Sequence, residues 1–397
     1  MEKVIVVGLG YVGLPLALEA AKSGFEVIGI DSNLKKVEII NSGIPLVEDV
    51  LESDLKKLLK AKKFIASSDF SKIKDSQIII FCVPTPISSE KEPDLSFLKN
   101  AISSVANFLK PDCLIIFEST VAPGTTRNHL IPLLLSESGM NSEDIHFVFS
   151  PERIDPTNRK WDLKNTPKLI SGSTQTGVRA ATYFYSKFVD NVVECESIEI
   201  AECAKLLENS FRFINISFIN DFAIFCNRFG VDVTKVIEAA NTKPYGFMHF
   251  YPSIGVGGHC IPVDSIYLSD MARKIGSPMR MIDLAAEIND EMPKYVVTKA
   301  EEKLMNLKNR KILVIGVSYK PNVGDVRESP VMELIKELRE KGAEVFWHDN
   351  LVKVWNGEES VEIGTSYDLA ILATPHDYIN MKNLGNVPII NTRGAMF

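Results

Sequence analysis

The first thirty residues contain an apolar run, a glycine-rich turn, a helical stretch and a second apolar run. Residues 4–7 are wholly apolar and predict a buried strand, and residues 14–22 have the spacing of a helix that Gly24 can end. Residues 26–30 predict a second strand, which Asp31 follows. Parallel strands need a crossover connection of this kind, so the pattern predicts a βαβ unit.

Three more apolar stretches, at 77–83, 113–117 and 146–150, predict strands separated by helices or loops. Such alternation is typical of an open parallel sheet covered by helices on both faces. We therefore predict a doubly wound α/β domain at the start of the chain.

The chain repeats its own beginning near its end. Residues 3–11 match 311–319 at an offset of 308, and residues 23–31 match 341–349 at an offset of 318. Chance convergence is the alternative, but two matched blocks in the same order favour a second doubly wound domain.

The second copy carries its own helix and strand signals. Ser329 can cap a helix and Pro330 fits its first turn. Further strands are predicted at 369–373 and 387–390. The predicted buried face of the helix consists of Val331, Leu334, Ile335 and Leu338.

A long helix is predicted between the two copies. Residues 197–229 contain neither proline nor glycine, and Gly230 can end the helix, which would be about 50 Å long. It is apolar on most sides, so we expect burial between domains or at the subunit interface of a homodimer. A second helical region is predicted at 279–306.

Composition excludes several classes of protein. The 44 basic and 51 acidic residues give a net charge of −7 without a basic cluster, which argues against nucleic acid and anionic membranes as partners. No apolar stretch approaches a membrane span, and the N-terminus lacks the features of a signal peptide. The six cysteines form no CxxC pair, so we expect reduced thiols, no metal site and a cytoplasmic location.

A glycine motif supplies the first candidate site. Gly8, Gly10 and Gly13 follow a strand and open a helix, where backbone N–H groups can approach a pyrophosphate. Asp31 would accept hydrogen bonds from a ribose 2′-OH and repel a 2′-phosphate, which favours NAD over NADP. The alternative is a glycine-rich turn in a non-binding domain.

Cys260 lies between Gly255, Gly257 and Gly258 on one side and Pro262 on the other. This spacing predicts a tight loop with an exposed backbone that can present a thiolate to a ligand. The alternative is a buried core cysteine. A metal pair with the adjacent histidine is disfavoured, because no cluster of further ligands accompanies it.

Polar residues recur along one face of the long helix, at Glu202, Lys205, Asn209 and Arg212. A buried lysine beside an asparagine could stabilise an oxyanion. A solvent-facing stripe is the alternative.

Polar loops follow three predicted strands, at 83–86, 118–126 and 150–153, and the last contains Glu152. Ligands of open α/β sheets bind at the carboxyl ends of strands, although each loop could be an ordinary connection. The second copy lacks the glycine triplet, which predicts a poor dinucleotide site. Gly316 is followed there by Ser318, Tyr319, Lys320, Asp325 and Arg327, of which Lys320 and Arg327 are cations. They could meet a phosphate or nucleobase, or form a solvated loop.

Together these motifs resemble the nucleotide-sugar 6-dehydrogenase family, which contains UDP-glucose and GDP-mannose dehydrogenases. The resemblance covers nearly the whole chain. It rests on residues 8–15, 119–121, 150–153, Lys205 with Asn209, 257–264 and 320–327. It implies two Rossmann-like domains joined by a long central helix and a helical connector. The expected domains are an NAD-binding domain at 1–196, a central helical domain at 197–306 with the cysteine loop, and a UDP-sugar-binding domain at 307–397.

The resemblance implies a four-electron oxidation of a sugar CH₂OH to a carboxylate with two NAD⁺. Cys260 would form a thiohemiacetal and then a thioester, Lys205 and Asn209 would stabilise oxyanions, and Asp264, Thr120 and Glu152 would assist hydrolysis. The implied cofactor-binding residues are Gly8, Gly10, Tyr11, Val12, Gly13, Asp31, Pro84, Thr85, Thr120 and Arg327. The implied substrate-binding residues are Glu152, Arg153, Lys205, Asn209, Arg212, Tyr251, Gly257 and Lys320.

The residues around the cysteine resemble the N-acetylhexosamine branch, closest to UDP-N-acetylglucosamine 6-dehydrogenases. This rests on His259, on 261–264, and on the segments 153–158 and 241–247. UDP-N-acetylmannosamine and UDP-glucose are the rival substrates. Ser265 replaces the proline usual in that branch, which predicts a looser loop after Asp264.

Two other functions remain as alternatives. A two-electron hydroxyacid dehydrogenase would need neither the cysteine loop nor the second domain. A non-catalytic nucleotide-sugar sensor need not retain Cys260, Lys205, Asn209 and Asp264 together.

Overall fold

The computed structural model describes residues 2–47, 49–88, 92–155, 158 and 160–394. Pro156 and Thr157, which belong to the sequence motif at 153–158, lie outside the described residues. The chain divides into two compact units, Met1–Leu207 and Glu208–Phe397.

The first unit is built on a single eight-stranded sheet. Its strands are β1 Lys3–Val7, β2 Glu26–Ile30, β3 Phe64–Ser67, β4 Ile78–Phe81, β5 Cys113–Phe117, β6 Ile145–Phe149, β7 Lys168–Gly172 and β8 Val192–Glu194. Its helices are α1 Gly13–Lys22, α2 Leu34–Asn41, α3 Glu52–Lys60, α4 Ser96–Ala106, α5 Ile131–Ser138 and α6 Gln175–Tyr185. The predicted strands and first helix are confirmed to within about two residues at their ends.

The strand order is β3-β2-β1-β4-β5-β6-β7-β8. Strands β1 to β6 pair in parallel, and side chains on both faces are buried, which confirms the α/β prediction. The sequence did not predict strand β7, which runs antiparallel to β6. The N-terminal end of β7 therefore lies at the edge where β4, β5 and β6 end.

The long helix predicted in the middle of the chain is confirmed as α7, Ile198–Phe229. Gly230 follows it with φ of 81°, a left-handed conformation that favours glycine and ends the helix. The helix begins in the first unit and continues into the second.

The second unit contains helices and a smaller parallel sheet. Its other helices are α8 Val233–Ala240, α9 Ile261–Lys274, α10 Arg280–Leu304 and α11 Val331–Glu340. Its strands are β9 Lys311–Ile315, β10 Glu344–His348, β11 Val354–Trp355, β12 Glu358–Glu359, β13 Leu369–Leu372 and β14 Ile389–Asn391. The sheet order is β10-β9-β13-β14, and β11 and β12 form a separate hairpin.

The internal repeat is confirmed by the elements themselves. Strands β1 and β9 begin and end at the predicted offset of 308, and β2 and β10 at 318. Gly8 donates its N–H to the Ile30 carbonyl at 2.7 Å, and Gly316 donates to the His348 carbonyl at 2.8 Å. The two copies therefore share the hydrogen bond that closes the turn, and not only their order of elements.

Helix α11 packs with the face that the sequence predicts. Val331, Leu334, Ile335 and Leu338 are buried. Pro330 lies just before the helix and not in its first turn, while the Ser329 hydroxyl accepts a hydrogen bond from the Val331 N–H at 3.4 Å. Over the described residues, none of the helices combines the length and apolar character that a membrane crossing requires.

We expect Leu338→Ala to lower the free energy of unfolding by about 2–5 kcal/mol, because it leaves a cavity in the core of the second unit. Met332→Ala is the control on the same helix, since Met332 is 48% exposed, and it should change stability by less than about 0.5 kcal/mol. Urea denaturation measures both. Equal losses in the two variants would contradict the assigned face.

Candidate active site

The turn after β1 is shaped by its three glycines. Gly8 has φ of 95°, and a Cβ there would lie 2.8 Å from the Cys82 carbonyl oxygen. A Cβ on Gly13 would lie 1.8 Å from the Gly8 carbonyl oxygen, whereas a Cβ on Gly10 would meet nothing within 4 Å. The glycines thus leave open space only beside Gly10, before the N-terminus of α1. An open glycine turn before a helix N-terminus lets backbone N–H groups approach the pyrophosphate of a dinucleotide.

Asp31 is held at the end of β2. Its carboxylate accepts hydrogen bonds from the Leu9 N–H at 3.0 Å and from Lys36 Nζ at 2.7 Å. Lys36 belongs to no sequence motif, so its contact with Asp31 was not predicted. Tyr11 is exposed and Val12 is half-buried at the same turn, so the predicted cofactor-binding residues of this turn lie together.

The loops after β4 and β5 are joined by side-chain hydrogen bonds. Thr85 Oγ1 donates to the Thr120 carbonyl at 2.8 Å, and Ser119 Oγ donates to the Val83 carbonyl at 2.7 Å. Pro84 is exposed between them. The predicted residues Pro84, Thr85 and Thr120 therefore lie in one connected pair of loops.

Glu152 follows β6 and is engaged on both carboxylate oxygens. Oε1 accepts from the backbone N–H groups of Arg153 at 2.6 Å and Ile154 at 2.8 Å, and Oε2 accepts from Lys168 Nζ at 3.0 Å. Burial acts to raise the pKa of Glu152, but the Lys168 charge and these hydrogen bonds outweigh it and hold that pKa below its usual value. The Arg153 guanidinium donates to the Pro167 carbonyl at 2.7 Å.

The polar face of α7 is mostly buried. The Glu202 carboxylate accepts from the backbone N–H groups of Gly124 at 2.6 Å and Thr126 at 2.9 Å, so it holds the loop after β5. Burial raises the pKa of Glu202. Lys205 is also buried. The solvent-facing alternative is therefore wrong for these residues.

Farther along α7, in the second unit, Asn209 is buried and Arg212 is exposed. Asn209 Nδ2 donates to Asp264 Oδ2 at 2.5 Å. Asp264 lies in the first turn of α9, and its N–H donates to the Cys260 carbonyl at 2.8 Å. Cys260 itself is exposed at the N-terminal end of α9, so the core alternative is wrong.

Two predictions about the segment after Cys260 need correction. Pro262 and Asp264 lie in the first turn of α9 and not in a loop. The helix tolerates Pro262 because the first N–H groups of a helix have no intrahelical partner. The looser loop expected from Ser265 is also wrong, since Ser265 is buried in α9 and its hydroxyl donates to the Ile261 carbonyl at 2.8 Å.

The glycines before Cys260 are buried, which corrects the predicted exposed backbone. A Cβ on Gly257 would lie 2.4 Å from the Glu328 carbonyl oxygen. Gly258 has φ of 84°, and a Cβ there would lie 2.7 Å from the Tyr319 ring. Asn289 on α10 accepts from the Val256 N–H at 2.5 Å. The sequence did not predict that Tyr319 and Asn289 pack against this segment, because neither lies near Cys260 in the chain.

The second copy of the turn is filled by protein. Asp349 takes the place of Asp31, accepts from the Val317 N–H at 2.9 Å and faces His376 Nε2 at 3.0 Å. Both side chains are fully buried. This supports the prediction that the second copy is a poor dinucleotide site.

The remaining predicted residues of the second unit lie at its loops. Lys320 is half-buried, while Arg327 is exposed and pairs with Asp325, with Nε and Oδ1 2.8 Å apart. The ring of Tyr251 faces the guanidinium of Arg393 at 5.5 Å.

We expect Gly257→Ala to lower the free energy of unfolding by about 1–3 kcal/mol, because the new methyl group meets the Glu328 backbone. Gly364→Ala is the matched control, since a Cβ there meets nothing within 4 Å, and it should stay within about 0.5 kcal/mol of the original protein. Urea denaturation compares them. A Gly257 variant as stable as its control would contradict the close packing around the cysteine segment.

Known protein families match this chain over most of its length. Three domains of the UDP-glucose/GDP-mannose dehydrogenase family match: the NAD binding domain at residues 2–189, the central domain at 199–291 and the UDP binding domain at 313–396.

Relatives match over nearly their full length. A UDP-N-acetyl-D-glucosamine 6-dehydrogenase of Salmonella typhi is 34% identical over 98% of this chain and 92% of its own. A UDP-N-acetyl-D-mannosamine dehydrogenase of Pyrococcus horikoshii is 34% identical over 92% of this chain and 89% of its own. The solved UDP-D-ManNAc dehydrogenase structure from Pyrococcus horikoshii has a TM-score of 0.90 at 32% identity, and covers 98% of this chain and 95% of that chain. This chain therefore belongs to the UDP-glucose/GDP-mannose dehydrogenase family of NAD-dependent oxidoreductases, which act on nucleotide sugars.

Proposed function

We propose that this protein oxidises the C6 hydroxymethyl group of a UDP-N-acetylhexosamine to a carboxylate through a thioester on Cys260. The observation that carries the proposal is the hydrogen bond between Asn209 and Asp264 at 2.5 Å, one helical turn from the exposed Cys260. A thiol at this place lies at the positive end of the α9 dipole, which favours a negatively charged sulfur.

Each residue has a defined task in this reaction. NAD⁺, when bound, supplies the hydride acceptor for each of the two oxidations, and the turn around Gly10 would hold its pyrophosphate. The Cys260 thiolate attacks the aldehyde produced by the first oxidation and forms a C–S bond, which gives a thiohemiacetal. Loss of hydride from the same carbon leaves a thioester, and water then cleaves the C–S bond to release the acid and the thiol.

The polar side chains near Cys260 and Glu152 would act at the steps in which negative charge develops or water attacks. Lys205 and Asn209 would stabilise the oxyanions, since buried donors act strongly on developing negative charge. Asp264 and Thr120 would position water. Glu152 would accept its proton during hydrolysis as the general base.

We propose UDP-N-acetylglucosamine as the substrate on the sequence around Cys260, on His259 before it and residues 261–264 after it. UDP-N-acetylmannosamine is the second candidate, because a mannosamine dehydrogenase shares the same 34% identity as a glucosamine enzyme. We place the reaction in the cytoplasm, where NAD and reduced thiols are present.

We expect Cys260→Ser to reduce the rate of uronic acid formation by about 1,000-fold or more, because a hydroxyl is a far weaker nucleophile than a thiolate. Chromatography of the UDP-sugar products measures the acid directly.

Cys203→Ser is the matched control, since Cys203 is also exposed but lies on α7 outside the proposed site. It should form acid at the original rate. Full acid formation by the Cys260 variant would contradict the thioester route.

We also propose that α7 forms a homodimer interface. Phe218, Phe225 and Phe229 are 62%, 56% and 71% exposed. With Phe222 they form a row of stacked rings whose centroids are 5.7–6.4 Å apart. Their spacing of four, three and four residues is that of a helix packing seam, and contiguous exposed apolar surface of this kind marks an interaction site.

We expect light scattering at micromolar concentration to give the mass of two 44.2-kDa chains, and Phe225→Glu to raise the dissociation constant at least about tenfold. Met332→Glu introduces the same charge at an exposed apolar residue of α11 and should leave the dimer intact. A monomeric original protein would contradict the interface.

A further inference from the structure

A buried group of charges behind Glu152 has no part in the reaction described above. Lys168 lies at the start of β7 and is 3% exposed, and its Nζ is 3.0 Å from one carboxylate oxygen each of Glu118 and Glu152. The Tyr185 hydroxyl donates a hydrogen bond to the other Glu118 oxygen. A fully buried lysine is rare in proteins unless it is paired, so its position here requires an explanation.

The sheet topology accounts for the meeting of Lys168 and Glu152. In the antiparallel pair of β6 and β7, Val148 faces Gly172 and Phe149 faces Ser171, so paired residue numbers sum to 320. Continuing the same register past the end of β6 brings 152 opposite 168. Because β7 runs antiparallel to β6, its first residue, Lys168, lies at the edge where the parallel strands end.

The contacts of Lys168 with its two carboxylates are unequal. The ammonium donates a hydrogen bond to Glu152 Oε2, while Glu118 Oε2 lies at the same 3.0 Å without hydrogen-bond geometry. Glu118 is instead bound by Tyr185. The Lys168 ammonium thus lies equally close to both carboxylates and donates its hydrogen bond to Glu152, while Glu118 supplies a second negative charge that keeps the lysine ionised.

We propose that Lys168 is a positioning residue for the oxidation, because it fixes the Glu152 carboxylate in its ionised form and in one orientation at the edge of the sheet. The proposal rests on the proposed function of Glu152 as the base of the hydrolysis step. It adds Lys168 to the residues on which that step depends.

The charges around Glu152 support this role. The titratable groups that face it are Lys168 from β7, Glu118 after β5, Cys82 after β4 and, behind Glu118, Tyr185 from α6. Burial raises the pKa of Cys82, of Tyr185 and of Glu118, and these three groups are acids that carry no positive charge in either protonation state. Among these groups, Lys168 alone lowers the pKa of Glu152 against the effect of burial. The neighbouring carboxylates in turn raise the pKa of Lys168.

The test compares the pH dependence of acid formation in three variants. Lys168→Met removes the cation, so nothing on Lys168 offsets the rise in the pKa of Glu152 that burial causes. The acid limb of kcat then moves to higher pH, and kcat at a pH on the original limb falls about 10-fold or more. Lys168→Arg keeps the charge and should stay near the original limb. Glu118→Gln removes the competing carboxylate, so the limb stays in place or moves to lower pH.

Infrared difference spectroscopy supplies a readout that needs no catalysis. The carbonyl band of protonated Glu152, identified by its absence in Glu152→Gln, should appear at higher pH in Lys168→Met than in the original protein. An unmoved band and limb in Lys168→Met would overturn the proposal. If Lys168→Met does not fold, the other two variants decide: an upward shift of the acid limb in Glu118→Gln, or an upward shift in Lys168→Arg, overturns the proposal.

The proposed function and the positioning role of Lys168 can be disproved separately. An original protein that forms no acid from any UDP-sugar removes the proposed function, while the infrared titration still decides whether Lys168 controls Glu152. A protein that forms acid normally but shows the same pH limb with and without the Lys168 charge removes the positioning role alone.

Discussion

Parallel strand pairing, closed at one edge by a glycine turn, is the constraint on which the other features of this chain depend. Gly8 and Gly316 take up a left-handed backbone conformation and donate to the last residue of the neighbouring strand. The next N–H then meets a carboxylate, that of Asp31 in one copy and of Asp349 in the other. Because parallel strands end at the same edge, the loops that follow them gather there, and so do the polar side chains they carry.

The two copies of this turn differ in whether protein side chains occupy the space beside it. Gly10 faces open space in the first copy, whereas its counterpart at the 308-residue offset, Ser318, is fully buried and lies 3.3 Å from His376 Nε2. Asp349 is buried against the same histidine. The same backbone turn is therefore open beside Gly10 near the N-terminus and closed by hydrogen-bonded side chains near the C-terminus.

The sequence predicted those features that repeat locally or belong to compact motifs: the strands, the long helix, the repeat and the glycine turn. It did not predict Lys168, since that residue reaches Glu152 only because β7 reverses direction, and apolar periodicity carries no strand direction. Tyr319 and Asn289 contact the cysteine segment across long sequence separations. A proline in the first turn of a helix resembles a break in the sequence, so the sequence predicts a loop where α9 begins.

The most direct test of the thioester mechanism is the amount of NADH formed per sugar consumed. It should be measured with NAD⁺ and each of UDP-GlcNAc, UDP-ManNAc, UDP-GalNAc and UDP-glucose. The thioester mechanism predicts two NADH per sugar with UDP-GlcNAc, because the aldehyde stays bound to Cys260 until the second oxidation. One NADH per sugar, with release of the aldehyde, would contradict covalent capture and leave the cysteine without its assigned role.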